Sequence, residues 1–256
     1  MLSALIGYSG FIGGNLIKQT RFDDLYNSKN IADIKGKKYD LIVSAGTSSL
    51  RWKADLEPDA DWQNIQKLIN YIKEVEAGHF ILISTVDVYP KPFAVDEDTA
   101  NAGKKQKGYG LNRYKLEMFI RKKFKSSTCV RLPQTFGPGL KKNFIFDLIY
   151  NNRLDFTHKD SLFQWYNLKN LWKDISIARD NNIPIVNFAV EPLSTREVAK
   201  YTLDKAFATI TDKPHLHYDM WTKYGSLYNS HDHYIYHRLE TLEELRVFIE
   251  EAKQKI

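Results

Sequence analysis

Cysteine and long apolar stretches are scarce in this chain of 256 residues. Its one cysteine, Cys129, excludes a disulfide framework and a cysteine-based zinc cluster, and it suits a reducing compartment. No apolar run approaches the roughly 18 residues of a membrane span. The first six residues have no basic cluster before their apolar stretch, so they read as a strand rather than a signal peptide. We therefore expect a cytoplasmic protein with no membrane partner.

Charge is present in both signs, with 37 Lys and Arg against 31 Asp and Glu, a net charge of +6. A basic balance is compatible with nucleic acid or with a small ligand that carries phosphate. Neither an Arg/Gly repeat nor a Cys/His finger spacing supports a nucleic-acid module. We expect no nucleic-acid partner.

Short apolar strands alternate with helical stripes along the chain. The predicted strands cover residues 2–6, 25–26, 40–44, 80–84, 129–132 and 185–188, and the predicted helices cover 11–18, 61–75, 114–124 and a stripe from 168 to 175. This alternation predicts an α/β fold with a doubly wound parallel sheet covered by helices on both faces. Capping boxes at Ser194 with Glu197, and at Thr241 with Glu244, predict two further helix starts.

Glycines recur after the first predicted strand, in the segment Gly7-Tyr8-Ser9-Gly10-Phe11-Ile12-Gly13. The first glycine permits a tight turn, the second lets a diphosphate approach the backbone, and the third allows close packing of helix on strand. The N–H groups from Ser9 to Gly13 and the helix dipole would face the anion. A glycine-rich turn without a ligand is the alternative interpretation.

Four segments together resemble the extended short-chain dehydrogenase/reductases, the NAD(P)-dependent epimerase/dehydratase family that acts on nucleotide sugars. They are GYSGFIG at 7–13, ISTVDVYP at 83–90, YGLNRYKLE at 109–117 and VRLPQTFGPG at 130–139. The resemblance implies a Rossmann domain, which we assign to residues 1–136 and 163–200, and a small substrate-binding lobe at 137–162 and 201–256. It also implies a homodimer and a sugar nucleotide, or a similar keto or hydroxy sugar, as substrate.

By this resemblance Tyr109 is the acid/base, Thr85 orients the substrate oxygen, and Arg113 stands where the family usually has lysine. A fixed positive charge at ~5 Å, with an effective dielectric of ~20, contributes roughly 3 kcal/mol, or about 2.4 pKa units. We therefore expect Arg113 to lower the pKa of Tyr109 and to hold the ribose. Because arginine cannot release a proton, a lysine-like proton relay is lost.

Two further residues are implied to contact the substrate. Gln134 stands where many relatives have a sugar-nucleotide asparagine, and Asp87 follows Thr85 by two residues. In 4,6-dehydratases an Asp-Glu pair follows the hydroxyl residue, whereas this chain has Val86 before Asp87. A 4,6-dehydratase is therefore disfavoured, and reduction of a keto sugar or epimerisation is favoured.

The dinucleotide is predicted to be NADP, with NAD as the alternative. NAD enzymes commonly end the second strand with an acid that binds the ribose 2′-OH, but here Ser28 and Lys29 follow that strand and suit a 2′-phosphate. Ala45 and Gly46, after the third strand, leave room for the adenosine side.

Histidines cluster near the C-terminus without acidic or cysteine partners at a matching spacing, so we predict no metal site. We therefore expect an NAD(P)-dependent reductase or epimerase. Replacement of the usual lysine by Arg113 favours one rival, a catalytically silent dinucleotide-binding sensor or scaffold of the same fold.

Overall fold

The computed structural model describes residues 1–100 and 107–255. These residues form eight α-helices and twelve β-strands. The helices are α1 (Phe11–Leu16), α2 (Arg51–Leu56), α3 (Pro58–Ile72), α4 (Gly108–Lys123), α5 (Phe144–Tyr150), α6 (Leu171–Asp180), α7 (Thr195–Leu203) and α8 (Arg238–Lys253). The strands are β1 (Ser3–Ile6), β2 (Asp24–Tyr26), β3 (Lys38–Ser44), β4 (Glu76–Thr85), β5 (Phe93–Val95), β6 (Ser127–Leu132), β7 (Gln134–Phe136), β8 (Leu162–Phe163), β9 (Trp165–Asn167), β10 (Ile185–Asn187), β11 (Leu193–Ser194) and β12 (Asp219–Met220).

The chain divides into two compact units. The first contains Met1–Pro90, Asp98–Arg131 and Leu171–Val186, and the second contains Lys91–Glu97, Leu132–Asn170 and Asn187–Ile256. These bounds differ from the predicted domains, because 91–97, 132–136, 163–170 and 187–200 all belong to the second unit. The reason is strand pairing, since β5 pairs with β12, β7 with β9 and β8 with β11.

A six-stranded sheet forms the centre of the first unit, in the order β10-β6-β4-β3-β1-β2. The pairs β1–β2, β1–β3 and β3–β4 are parallel, and the predicted parallel α/β sheet is confirmed. In the sheet, β2 lies on one side of β1, and β3, the next strand along the chain, lies on the other side. The sheet order therefore reverses between β1 and β3, the position where open α/β sheets bind ligands beyond the carboxyl ends of their strands.

Apolar residues of the strands and helices bury each other in one core within the first unit. The apolar stripe predicted on α3 packs in this core, where Ile65, Leu68 and Ile72 are buried. Helix α4 contributes Leu116 and Ile120 to the same cluster. Each such side chain contributes about 1.5–3 kcal/mol when it leaves water, so burial of these two stripes fixes both helices on the sheet.

His79 joins two strands of this sheet through its imidazole. Its Nδ1 lies 2.7 Å from Ser126 Oγ, and its Nε2 lies 3.0 Å from Thr128 Oγ1. Because the Thr128 hydroxyl donates to the carbonyl oxygen of Ile183 at 2.7 Å, Nε2 donates to Thr128 and Nδ1 accepts from Ser126. Burial, followed by the charge of Arg179, lowers the pKa of His79, in agreement with a neutral ring.

The second unit has its own core, built around α5, α7, α8 and β9. Gln164 is buried there and links two other segments through its amide. Its Nε2 donates to the carbonyl oxygens of Val190 and Met220 at 2.6 and 2.8 Å, and its Oε1 accepts from Met220 N at 2.8 Å.

Two helix starts were predicted from capping boxes, and one of them is confirmed while the other is wrong. Ser194 Oγ accepts from Glu197 N at 3.2 Å and caps α7. Helix α8, in contrast, starts at Arg238 and has His237 at its N-cap, so Thr241 is a buried residue inside the helix. In the described part of the chain, every helix is too short or too polar to cross a bilayer.

Candidate functional site

The glycine turn lies at the point where the sheet order reverses. Gly7 has a φ of +87°, and a Cβ there would lie 2.5 Å from the carbonyl oxygen of Ala45. A Cβ on Gly13 would lie 2.1 Å from the carbonyl oxygen of Gly7. The backbone N–H of Gly7 donates to the carbonyl oxygen of Tyr26 at 2.7 Å. A side chain is therefore excluded at Gly7, which is packed against the residues that follow β3, and at Gly13, where α1 lies against the turn itself.

The tip of the turn is open to a ligand. Ser9 and Gly10 are exposed, and Gly10 is the N-cap of α1, whose first turn receives no side-chain cap. Phe11 and Ile12, the next two residues, are only partly buried. Uncapped N–H groups at the start of a helix bind anions, so these residues fit the diphosphate of a dinucleotide.

The two other predicted cofactor segments lie next to this turn. Asn27 Nδ2, directly after β2, donates to Tyr8 Oη at 3.0 Å, and Lys29 N donates to Asn27 Oδ1 at 2.8 Å. Ser28 and Lys29 are both exposed. On the other side, a Cβ on Gly7 would come within 2.8 Å of the Cα of Gly46, so Ala45 and Gly46 border the turn directly.

Tyr109 sits in the first turn of α4, which α2 holds in place. Gly108 has a φ of +54°, and a Cβ there would meet Asp55 Oδ1 at 2.5 Å. The same Asp55 oxygen accepts from the backbone N–H of Tyr109 at 2.9 Å. Asp55 therefore binds the start of the helix directly beside the candidate acid/base.

Arg113 lies one turn further along α4 and faces the ring of Tyr109. Its guanidinium carbon is 4.2 Å from the centre of that ring, a cation–π distance. The pair predicted from the Tyr-x-x-x-Arg spacing is therefore in direct contact.

The guanidinium of Arg113 is also paired with a carboxylate that the sequence analysis did not consider. Its two terminal nitrogens donate to Asp61 Oδ2 at 2.7 Å and to Asp61 Oδ1 at 3.1 Å, and one of them also donates to the carbonyl oxygen of Ser48 at 2.6 Å. The side chains of Arg113 and Asp61 are 3% and 9% exposed. Among the described atoms, Arg113 Nε is buried without a hydrogen-bond partner, so the guanidinium does not use all five of its N–H groups within the protein.

The pKa of Tyr109 differs from the expectation. Burial raises it; Arg113 opposes this, and the charges of Asp87 and Asp61 add to it, so the pKa lies above its usual value of 10. The expected lowering was worked out from the positive charge of Arg113 alone. In the structure Tyr109 is partly buried, burial is the largest influence on its pKa, and Arg113 is paired with Asp61.

Thr85 and Asp87 form one short turn at the end of β4. Thr85 Oγ1 accepts from the backbone N–H of Asp87 at 3.2 Å and caps the 3-10 turn Val86–Val88, against which α4 packs. Asp87 forms an ion pair with Arg51 at 2.8 Å. The structure thus brings Thr85 and Asp87 together in the same unit as Tyr109.

A buried ion pair fixes α4 to the sheet below these residues. Glu117 Oε2 accepts from a terminal nitrogen of Arg131 at 2.7 Å, and Glu117 Oε1 accepts from Arg131 Nε at 3.1 Å and from Ser84 Oγ at 2.5 Å. Another Arg131 nitrogen donates to Tyr89 Oη at 2.7 Å. Burial alone would lower the pKa of Arg131, but the charge of Glu117 and hydrogen bonds to it raise that pKa.

Gln134 belongs to the second unit. It lies on β7, opposite Trp165 of β9 in a parallel pair, and it is partly buried. In the described part of the chain, no three His, Cys, Asp or Glu side chains are grouped as they would be around a metal ion.

The residues that sequence reasoning missed are Asp55 and Asp61, together with Arg51. Asp61 lies 52 positions before Arg113, and no spacing rule connects the two. An acid in the first turn of α3 would ordinarily be explained by the helix dipole.

Comparison with known families identifies the class of protein. The model of the NAD dependent epimerase/dehydratase family matches residues 20–172, which is more than half of the chain, and the chain therefore belongs to this family. Membership confirms the predicted enzyme class and the use of a nicotinamide dinucleotide. The matched region begins after the glycine turn, so the turn is supported by its geometry and not by this match.

Solved structures share the fold over the whole chain. One is MoeE5 in complex with UDP-glucose and NAD, with a TM-score of 0.74 and 14% identity over 100% of this chain and 99% of the other. The UDP-N-acetylglucosamine 4-epimerase of Methanobrevibacter ruminantium M1 gives 0.72 and 12% over 100% and 99%. The dTDP-4-dehydrorhamnose reductase of Bacillus anthracis, in complex with NADP, gives 0.72 and 16% over 98% and 99%. No curated protein sequence matches the chain.

Proposed function

We propose that this protein is an NAD(P)-dependent reductase or epimerase that acts on a nucleotide sugar, or on a similar keto or hydroxy sugar, with Tyr109 as its acid/base. The observation that carries the proposal is the contact of Tyr109 with Arg113, beside the turn of Thr85 and Asp87, in the unit that holds the glycine turn. Structural neighbours solved with nucleotide sugars support the substrate class.

In this proposal each side chain has one task. Tyr109 Oη gives a proton to the substrate oxygen during reduction, or takes one during oxidation, and Thr85 Oγ1 orients the same oxygen. The nicotinamide, when bound, supplies or accepts the hydride. Arg113 fixes the ring of Tyr109 and holds the ribose. Asp87 and Gln134 contact the sugar nucleotide.

The test measures turnover with purified protein. UDP-glucose, UDP-N-acetylglucosamine and dTDP-4-dehydrorhamnose are each incubated with reduced and oxidised dinucleotide; a reductase consumes the reduced form stoichiometrically, whereas an epimerase converts the sugar without net consumption. Tyr109→Phe should lower kcat by about 10²–10⁴-fold. Tyr114→Phe, on the same helix, is the matched control and should keep its rate. Unchanged turnover in Tyr109→Phe would overturn the assignment.

One observation favours the alternative, a catalytically silent dinucleotide-binding sensor or scaffold. Both terminal nitrogens of Arg113 are already bound to Asp61 and Ser48, which removes the free cation that usually activates the tyrosine. A silent protein would bind the dinucleotide in calorimetry and would show no turnover with any sugar nucleotide that the family accepts.

NADP is our proposed dinucleotide, because exposed Lys29 follows β2 and no acid stands at that strand end. A charge-assisted hydrogen bond to a 2′-phosphate contributes about 1.5–3 kcal/mol. Lys29→Ala should therefore weaken NADP binding about tenfold or more and leave NAD binding unchanged. Lys38→Ala, at the amino end of β3, is the control. Equal losses for NADP and NAD would contradict the assignment.

A homodimer in the cytoplasm remains part of the proposal. Helices α2 and α4 pack together and carry exposed Trp52, Leu56 and Met118, apolar side chains suited to contact with a second copy. A single cysteine suits a reducing compartment. Sedimentation equilibrium would test the dimer, and a monomer at micromolar concentration would contradict it.

A further inference from the structure

Asp61 is the charged group that determines how Arg113 meets Tyr109. It accepts from both terminal nitrogens of Arg113, in a two-point pair with little access to water. A two-point pair fixes the plane of a guanidinium as well as its position. Asn112 Nδ2 also donates to Asp61 Oδ2 at 2.9 Å, so two residues of α4 bind the carboxylate on α3.

We propose that Asp61 is a positioning residue: it holds the guanidinium of Arg113 against the ring of Tyr109 and opposes part of its charge, which favours the phenol form of Tyr109. This inference rests on the proposed function. It adds a preferred direction, because a phenol donates the proton that a carbonyl oxygen needs when the carbonyl is reduced.

The charged groups around Tyr109 come from four elements, and their arrangement supports the proposed role of Asp61. Arg113 on α4, Asp61 on α3 and Asp87 in the turn after β4 all act on Tyr109. Helix α2 contributes Arg51 and Asp55. Asp55 also accepts a hydrogen bond from the backbone N–H of Tyr109. Arg51 is paired with Asp87 at 2.8 Å and with Asp55 at 3.5 Å. Both cations therefore have carboxylate partners, and among the described residues none of these elements presents an unbalanced positive charge to the ring.

The pKa values have the direction that this arrangement requires. Burial is the largest influence and raises the pKa of Tyr109; Arg113 lowers it through its charge and a hydrogen bond, and Asp87 and, to a smaller extent, Asp61 raise it. Removing the charge of Asp61 leaves that of Arg113 unbalanced. At roughly 10 Å and an effective dielectric of ~20, one unit charge changes a pKa by about one unit.

The experiment reads the titration of Tyr109 directly. Tyrosine labelled with carbon-13 at the ring carbon that bears the hydroxyl is followed by NMR, and Tyr109→Phe identifies the signal. Asp61→Asn should lower the pKa of Tyr109 by about one unit. Asp59→Asn, an exposed residue in the first turn of the same helix, is the matched control and should change nothing.

Asp61→Asn leaves a buried arginine unpaired and can prevent folding, so a second variant removes both charges. If Asp61 opposes Arg113, the double variant Asp61→Asn with Arg113→Gln raises the pKa of Tyr109 less than Arg113→Gln alone. Arg113→Gln alone should raise it. A double variant that shifts as far as Arg113→Gln would overturn the proposal.

Turnover separates this inference from the proposed function. In an active enzyme, the loss of reduction rate at alkaline pH should begin about one unit lower in Asp61→Asn. A lower rate with an unmoved profile would mean that Asp61 is structural only, and the positioning role would be rejected. If the natural protein turns over no substrate, the proposed function fails, while the NMR titration still decides the role of Asp61.

Discussion

Glu117→Gln removes one buried charge and leaves almost the same side-chain volume. Glu117 accepts three hydrogen bonds, two from Arg131 and one from Ser84, and the side chains of Glu117 and Arg131 are 1% and 2% exposed. The amide offers one oxygen and places a donor against an Arg131 nitrogen that itself donates. The positive charge of Arg131 then has no balancing carboxylate.

The cost follows from this burial. Removal of one partner from a buried ion pair costs about 3–5 kcal/mol, because the remaining charge stays out of water. For a chain of this size, 1 kcal/mol lowers Tm by about 2–4 °C, so we expect a loss on the order of 10 °C. Urea unfolding followed by far-ultraviolet circular dichroism would measure the change in the free energy of unfolding.

The matched control makes the same substitution in an exposed ion pair. Glu74 pairs with Lys35 at 3.2 Å, and the two side chains are 46% and 45% exposed. Exposed pairs contribute about 0–1 kcal/mol, so Glu74→Gln should leave stability nearly unchanged. If Glu117→Gln costs no more than Glu74→Gln, the buried pair does not hold α4 to the sheet and the reasoning is refuted.

Two further changes test the glycine turn and the imidazole bridge. Gly13→Ala should destabilise the protein by about 1–3 kcal/mol, because its Cβ would lie 2.1 Å from the Gly7 oxygen. The control is Gly14→Ala, whose Cβ would lie 3.7 Å from the nearest atom and which should stabilise the protein by about 0.5–1 kcal/mol. Equal effects of the two substitutions in urea unfolding would be inconsistent with this packing. The pKa of His79 in the folded protein is lowered from 6.5, so as the pH falls the imidazole takes up a proton more readily in the unfolded chain than in the folded protein. The contribution of His79 to stability is therefore present above pH 6.5 and is lost as the pH falls below it. A His79→Gln variant whose unfolding midpoint depends on pH in the same way as the natural protein would refute that role.

Local pattern was sufficient to predict most of the sheet unit. Apolar strands bounded by turns, and stripes such as Ile65, Leu68 and Ile72, are determined by short-range chemistry, and they packed as expected. The second unit was harder, because β7–β9 and β8–β11 pair two or three residues at a time. Such short pairings carry no detectable period, and the domain bounds were misplaced for that reason.

Helix ends depend on geometry that a motif does not contain. Ser194 and Thr241 both precede a glutamate by three residues, yet only Ser194 is an N-cap. Thr241 is buried inside α8 because the helix starts three residues earlier, after His237. A capping box therefore identifies a helix start only when the residues before it leave the helical conformation.

At the candidate site, too, local spacing predicted only part of the arrangement. Spacing along one helix was enough to predict that Arg113 and Tyr109 would meet, since residues four apart share a face. It did not predict the charge that Tyr109 experiences, because the balancing carboxylate of Asp61 comes from another helix 52 positions away. Asp61 opposes part of the effect that the charge of Arg113 has on Tyr109. The effect of Arg113 on Tyr109 therefore has to be considered together with Asp61, and we propose that Asp61 favours the protonated form of Tyr109.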